Sequence, residues 1–258
     1  MFFRLSPYAE ASSYLVMNIV IAQPTYFPWP GQIELYMLAD IFIIYDDVQY
    51  SKGYYTNRVQ LNGPSGSKWM SIPLWNHAMH QKICEVRCQP NHYWAQKHVD
   101  LFSSYYKGCL FYDDAISLLE TALKDRGNLL QAYANQSFFL LLQYLGLFRD
   151  SKILRSSELG IHGKSSDRVL AIVKHLGGTC YITGHGGAKY LDHILFEANG
   201  IDVEYVLYSK KPYAHIHGSY TPYVTSLDLI AHEGVSSVDF LVPSVVPWRQ
   251  FTANHLSQ

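Results

Sequence analysis

Two short apolar runs set most of what this chain can become. Asn18-Ile19-Val20-Ile21-Ala22 and Ile41-Phe42-Ile43-Ile44-Tyr45 are too continuously hydrophobic for strands with one wet face, so they must be buried on both. The first stops at Gln23-Pro24, where proline cannot continue a ladder. Between the runs, Gly31 to Ala39 is apolar at 33 and 35 to 39, the pattern of a largely buried helix. Strand, helix and strand in this order make a βαβ unit with a parallel pair. Ligands of open α/β sheets gather beyond the carboxyl ends of the strands, and here those ends lead into Gln23 to Trp29 and into Asp46-Asp47-Val48-Gln49-Tyr50.

The pattern then changes. Tyr54 to Ile72 alternates around the turn cluster Asn62-Gly63-Pro64-Ser65-Gly66, which predicts a hairpin, and Ile83 to Val86 predicts a short strand. Helices are expected over 93–106, over 114–124 with Asp113 or Asp114 as cap, and over 128–145, capped by Asn128 and closed by Gly146. Alternation returns with a helix over 164–175, a strand over 179–183, a helix over 187–199 ended by Gly200, a strand over 203–207 and a short helix over 225–232. Beyond Pro243 regularity is expected to fade. The fold class is therefore α/β: a mostly parallel sheet flanked by helices, with a helical middle segment and a β-hairpin insertion. One domain over 17–242 is expected, with an extension at 1–16, Met17 as the natural start and an irregular tail at 243–258.

With 20 Lys+Arg against 21 Asp+Glu, no global field draws this chain to nucleic acid or anionic lipid. The longest apolar run, Phe138 to Leu142, is far shorter than a membrane span. Residues 1–16 hold a single Arg and are broken by Ser, Pro and Glu, unlike a secretory signal. Four scattered cysteines make no disulfide scaffold and fit a reducing cytoplasm. Tyrosine is abundant, with 21 copies, and its ring and hydroxyl suit pockets that grip sugars or nucleotides. A small-molecule substrate is the expected partner; the sequence names no cofactor and no oligomeric state.

Four constellations carry chemistry. The first joins the loop of Gln23, Tyr26 and Trp29, a helix start near Gly31 where free N–H groups favour an anion, and the carboxylates Asp46 and Asp47 as candidate catalytic groups. Next come Tyr50, Lys52, Asn57 and Arg58, cations beside anions, suited to phosphate or carboxylate. Lys164, Ser165 and Arg168 form a third anion site at a helix start capped by Ser165 or Ser166. Its Gly163-Lys164-Ser165 lacks the first glycine of a P-loop, because Glu158 stands there. Last is Gly184-His185-Gly186-Gly187 with Tyr190, where glycines admit a ligand and His185 can move a proton. Among His77, His80, Cys84, Cys88, His92 and His98, the tight ligand pairs of zinc sites are missing, so no metal is assigned.

Gln23 to Gly31, Ala39-Asp40, Tyr45 to Lys52 and Asn57-Arg58 together resemble the N-terminal signature of the WbqC-like family. The resemblance runs on through Trp69, Ile72-Pro73, Ser156-Ser157, Tyr181 to Gly184, Gly186 to Leu191, Phe196, Gly200-Ile201, Pro212-Tyr213 and Ser226-Leu227-Asp228, about residues 17 to 240. It implies a component of O-antigen or other surface-glycan synthesis that works on an activated sugar or its amino-sugar substituent. The expected role is transfer of an acyl or aminoacyl group to a nucleotide-linked sugar. Alternatives are a non-catalytic sugar- or nucleotide-binding assembly protein and an ATP-dependent nucleotidyltransferase or ligase. Many relatives carry His where this chain has Ala22, and an aromatic where it has Gln32.

Overall fold

The computed structural model describes residues 16–76 and 78–255; His77 and most of the expected extension lie outside them. The main sheet holds β1 (Asn18–Ala22), β2 (Ile41–Ile44), β5 (Ile153–Arg155), β6 (Cys180–Thr183), β7 (Asp202–Leu207) and β8 (Ser244–Pro247), in the order β5-β2-β1-β6-β7-β8. All its pairs are parallel except β7 with β8. A separate antiparallel hairpin pairs β3 (Arg58–Gly63) with β4 (Gly66–Ser71). Helices are α1 (Pro30–Met37), α2 (Ala95–Tyr106), α3 (Tyr112–Ala122), α4 (Leu130–Tyr144), α5 (Ser165–His175), α6 (His193–Ala198), α7 (Ser226–Glu233) and α8 (Trp248–His255).

The strand order explains the layering. From β1 the chain steps outward to β2 on one side, whereas β5 to β6 to β7 steps the opposite way. Right-handed crossovers therefore put α1 on one face of the sheet and α5 and α6 on the other. Side chains follow the two-residue period: Val20, Phe42, Ile44 and Ile182 pack with α1, α4 and α7, while Ile19, Ile43, Tyr181 and Tyr205 pack with α5, α6 and α8. Reversal between β1 and β6 leaves a crevice above their carboxyl ends.

Several local expectations change. Residues Ile83–Glu85 form a 3₁₀ turn rather than a strand, because their amides bond the 46–48 loop, Ile83 to Val48 O at 2.9 Å and Cys84 to Asp46 O at 2.8 Å. Neither Asp113 nor Asp114 caps α3; both sit inside its first turn, where carboxylates suit the helix dipole. Helix α4 starts at Leu130, since the Asn128 carbonyl is held by the Cys88 amide at 2.9 Å. Gly146, with φ of +68°, closes it as expected. The long helix expected over 187–199 is broken: His185–Lys189 is a 3₁₀ turn, and Asp192 caps the separate α6 by accepting from the Leu195 amide at 3.1 Å.

The tail from Pro243 is regular, against expectation. Pro247 is tolerated because β8 is an edge strand, and α8 folds Phe251 flat against Tyr205, ring centroids 4.1 Å apart. No helix among the described residues is long and apolar enough to cross a membrane.

Candidate functional site

The crevice between β1 and β6 is a cleft of about 760 Å³. Its floor is the end of β1 with Gln23 and Thr25, its far wall the end of β6 with Gly184, His185, Gly186 and Gly187. Trp29, Tyr208, Tyr223 and Lys210 form one side, Tyr45, Ser165, Lys189 and Tyr190 contribute another, and Ser51, Tyr54, Tyr55 and Thr56 complete the rim. Among the described residues, no Asp or Glu lines the cleft, whereas two lysines do. A cleft with that balance of charge attracts anions.

Its walls are fixed from behind. Loop 23–29 is pinned where the Phe27 amide donates to Ser137 Oγ at 2.8 Å, and where Thr225 Oγ1 and Ser226 Oγ donate to the carbonyls of Phe27 and Pro28 at 2.9 and 2.7 Å. These bonds hold Phe27 at φ of +39°, an uncommon backbone state for a bulky residue. Trp29 then lies 4.6 Å from the Tyr208 ring and 5.6 Å from Tyr223, and Lys210 donates to the Tyr223 hydroxyl at 2.9 Å.

The glycines after β6 are needed for close approach. A Cβ at Gly184 would stand 2.9 Å from the Tyr208 hydroxyl, and one at Gly187 would meet Thr183 Oγ1 at 2.9 Å. His185 Nε2 donates to the Val206 carbonyl at 2.8 Å, so any proton this ring exchanges passes through Nδ1.

Of the residues singled out from sequence, the cleft gathers Gln23, Trp29, Ser165, Gly184, His185, Gly186, Gly187 and Tyr190. The others lie elsewhere, each for an identifiable reason. Tyr26 is fully buried, its hydroxyl 3.0 Å from His98 Nδ1. Gly31 is roofed by the Trp29 indole, 2.1 Å from where a Cβ would stand. Behind that helix start, the buried Glu34 takes both the backbone N–H and the hydroxyl of Ser209, and burial pushes its carboxyl above the ordinary value despite those bonds. An anion at the start of α1 would face that carboxyl.

Asp46 and Asp47 are not among the cleft lining. Asp46 is fully buried and accepts from the Ser157 amide at 3.1 Å and its hydroxyl at 2.9 Å. Asp47 accepts from Ser156 Oγ and from Arg168 Nη2, each at 2.5 Å. Burial opposes ionisation of Asp47, but the Ser156 and Arg168 bonds and the guanidinium charge outweigh it and hold the carboxyl below its usual value. Arg168 also donates to the Ile161 carbonyl at 3.0 Å, which makes it a strut between α5 and β2 rather than a ligand clamp. Lys164 is exposed at the cap position of α5, and neither Ser165 nor Ser166 caps that helix: Ser165 has φ of +50°, and Ser166 Oγ accepts from the Asp192 amide at 2.8 Å. Tyr50, Lys52, Asn57 and Arg58 line a different pocket.

Sequence reasoning missed Tyr45, Tyr54, Tyr55, Lys189, Tyr208, Lys210 and Tyr223 in the cleft, and a buried cluster around Asp228. Asp228 Oδ1 accepts from the Tyr213 hydroxyl at 2.5 Å and His215 Nε2 at 2.7 Å, and Oδ2 accepts from the Tyr106 hydroxyl at 2.6 Å. His232 Nδ1 donates to the Asp228 carbonyl at 2.7 Å, and its Nε2 accepts from the Ile216 amide at 3.2 Å. His215, Asp228 and His232 are close enough together to hold a metal ion, yet the atoms a cation would need already carry protein hydrogen bonds. The cluster instead ties the irregular segment 208–224, which supplies Tyr208, Lys210 and Tyr223 to the cleft, to α2 and α7.

Uncharacterized protein Rv1507c of Mycobacterium tuberculosis (strain ATCC 25618 / H37Rv) is 26% identical over 227 residues, covering 87% of this chain and 97% of that one. No solved structure matches the chain. The model of the WbqC-like protein family matches residues 23–240, a span that includes the loop after β1, the glycine turn after β6 and the Asp228 cluster; the chain belongs to the WbqC-like protein family.

Proposed function

We propose that this protein is a transferase of bacterial surface-polysaccharide synthesis that acts on a nucleotide-activated sugar held in the cleft, by acyl or aminoacyl transfer to a sugar amine. One observation carries the reading: the crevice between β1 and β6 is lined by aromatic rings, hydroxyls, a glycine turn and two lysines, with no carboxylate among the described residues. Rings such as Trp29 and Tyr223 suit a base or sugar face, Lys189 and Lys210 suit a diphosphate, and Gly184 to Gly187 let backbone amides come close to it. As the C–N bond forms, the bond between the acyl carbon and its activating carrier breaks and the carrier leaves with that electron pair, while the attacking amine sheds a proton that His185 accepts through Nδ1. Asp46 and Asp47 serve by holding Arg168 and the Ser156-Ser157 turn behind the wall.

The test incubates the full chain with UDP-linked amino sugars and acyl or aminoacyl donors and follows product mass. A product whose formation falls at least tenfold in Lys210→Ala supports the reading; no binding of any nucleotide-sugar removes it.

A second reading, a non-catalytic nucleotide-sugar binder, draws on the fact that His185 is the sole general-base side chain among the described cleft residues other than lysine and tyrosine, and that its Nε2 is bound to Val206. Saturable binding without any mass change favours the binder.

A further inference from the structure

The segment 51–58 has two faces. Ser51, Tyr54, Tyr55 and Thr56 look onto the cleft, whereas Lys52, Gly53, Asn57 and Arg58 line a separate pocket of about 580 Å³. Trp75, 51% exposed, stands across it. Among the described residues, the lining contains two cations and no carboxylate.

The acids nearest in sequence do not neutralise those cations, because Asp46 is taken by Ser157 and Asp47 by Arg168. Lys52 is exposed and makes no hydrogen bond or ion pair with another described residue. Arg58 is held ready: its guanidinium lies 4.0 Å over the Trp69 ring, and Nη2 donates to the Gly53 carbonyl. Its Nε is buried without an acceptor, an arrangement native proteins seldom keep without a reason. Asn57 shapes the pocket instead of reaching into it, since its Oδ1 accepts from Tyr50 at 2.9 Å and its Nδ2 donates to the Ile72 carbonyl at 3.0 Å.

We propose that this pocket is a second ligand site, which takes an anionic group, phosphate or carboxylate, carried on a sugar ring. A stacked guanidinium loses little freedom when its fork meets an anion, and Lys52 adds a mobile point charge beside it. The exposed indole of Trp75 offers an apolar face to the ring that bears the anion. Two small molecules would then sit on opposite faces of one short loop, as a group-transfer reaction needs. The sugar ring rests on the reading of the cleft as a nucleotide-sugar site; the anion rests on Lys52 and Arg58 alone.

Tryptophan indole N–H signals of the ¹⁵N-labelled full chain separate the two sites, because Trp75 lines this pocket and Trp29 the cleft. Their signals are assigned with Trp75→Phe and Trp29→Phe, and the chain is titrated with glucose 1-phosphate, glucuronate and glucose. The expected result is a saturable shift of the Trp75 signal with one or both anionic sugars and none with glucose; the tighter of the two identifies the anion. Lys52→Gln and Arg58→Gln should each weaken that binding about tenfold or more, the scale of a lost charged hydrogen bond. Lys52 is exposed, so Lys52→Gln leaves the fold intact, and unchanged affinity in that variant overturns the site. An equal response to glucose, or a shift of Trp29 alone, also overturns it. If a UDP-linked sugar moves Trp29 while nothing moves Trp75, the cleft reading stands and this one falls.

Discussion

The pair of Asp47 and Arg168 decides whether a carboxylate beside this cleft is structural or chemical. Its atoms lie 2.5 Å apart, with the side chains 7% and 15% exposed for Arg168 and Asp47. In Asp47→Asn, the guanidinium meets a neutral amide in place of the carboxylate charge, and it keeps the Ile161 carbonyl at 3.0 Å and the Tyr45 ring 5.1 Å away. Removing one partner of a buried pair costs about 3–5 kcal/mol, and the residual exposure here brings the expected loss to about 2–3 kcal/mol. For a chain of this size that corresponds to a fall in Tm of about 5–10 °C. Urea unfolding of wild type, Asp47→Asn, Arg168→Met and the double variant should give a coupling energy above about 1 kcal/mol. The pH dependence carries a sign. Folded Asp47 has its carboxyl below the usual value, so between the folded value and the unfolded value near ~3.9 the unfolded state binds more protons. The gap between wild type and Asp47→Asn should therefore stay constant from neutral pH down to about pH 5 and close as pH falls below about 4. An Asp47→Asn protein as stable as wild type but without turnover would refute this reasoning and make Asp47 a catalytic group.

Three further outcomes follow from the packing. Asp228→Asn should cost about 3 kcal/mol in urea unfolding, because its amide cannot accept from all of Tyr106, Tyr213 and His215, and hydrogen exchange should rise across 208–224. Burial pushes His98 down to about 4 in the fold, against ~6.5 unfolded, so the unfolded state binds the extra proton between those values; that contribution is complete above about pH 6.5 and is lost as pH falls to 4. His98→Gln, which cannot titrate, should flatten the stability profile in that window by up to about 3 kcal/mol, as read by denaturant midpoints at each pH. Gly184→Ala should leave stability within about 1 kcal/mol yet weaken nucleotide-sugar binding by calorimetry, since the new methyl forces the Tyr208 hydroxyl away from 2.9 Å.

The site was only half legible in sequence. Gln23, Trp29 and the Gly184–Gly187 turn were visible because they follow β1 and β6 directly, and strand ends fix where loops point. Tyr208, Lys210 and Tyr223 carried no signal, since they reach the cleft from an irregular segment positioned by Asp228, a residue far from them in function and hidden within α7. Asp46 and Asp47 looked chemical because paired carboxylates after a strand often are. Their partners, Ser156, Ser157 and Arg168, stand more than a hundred residues away.

The sequence by itself determined the apolar period of each strand, and with it a parallel sheet buried on both faces, the hairpin at Asn62 to Gly66 and the glycine closure of α4. Those are local choices made by side-chain hydrophobicity and backbone freedom. The tertiary structure alone decided the strand order, the reversal between β1 and β6 that opens the cleft, and the tail's return as β8 and α8. It also decided which charged groups neutralise one another. Pairing of Asp47 with Arg168 left Lys52 and Arg58 facing a pocket with no acid among its described residues, and no local pattern encodes a contact between elements so far apart along the chain.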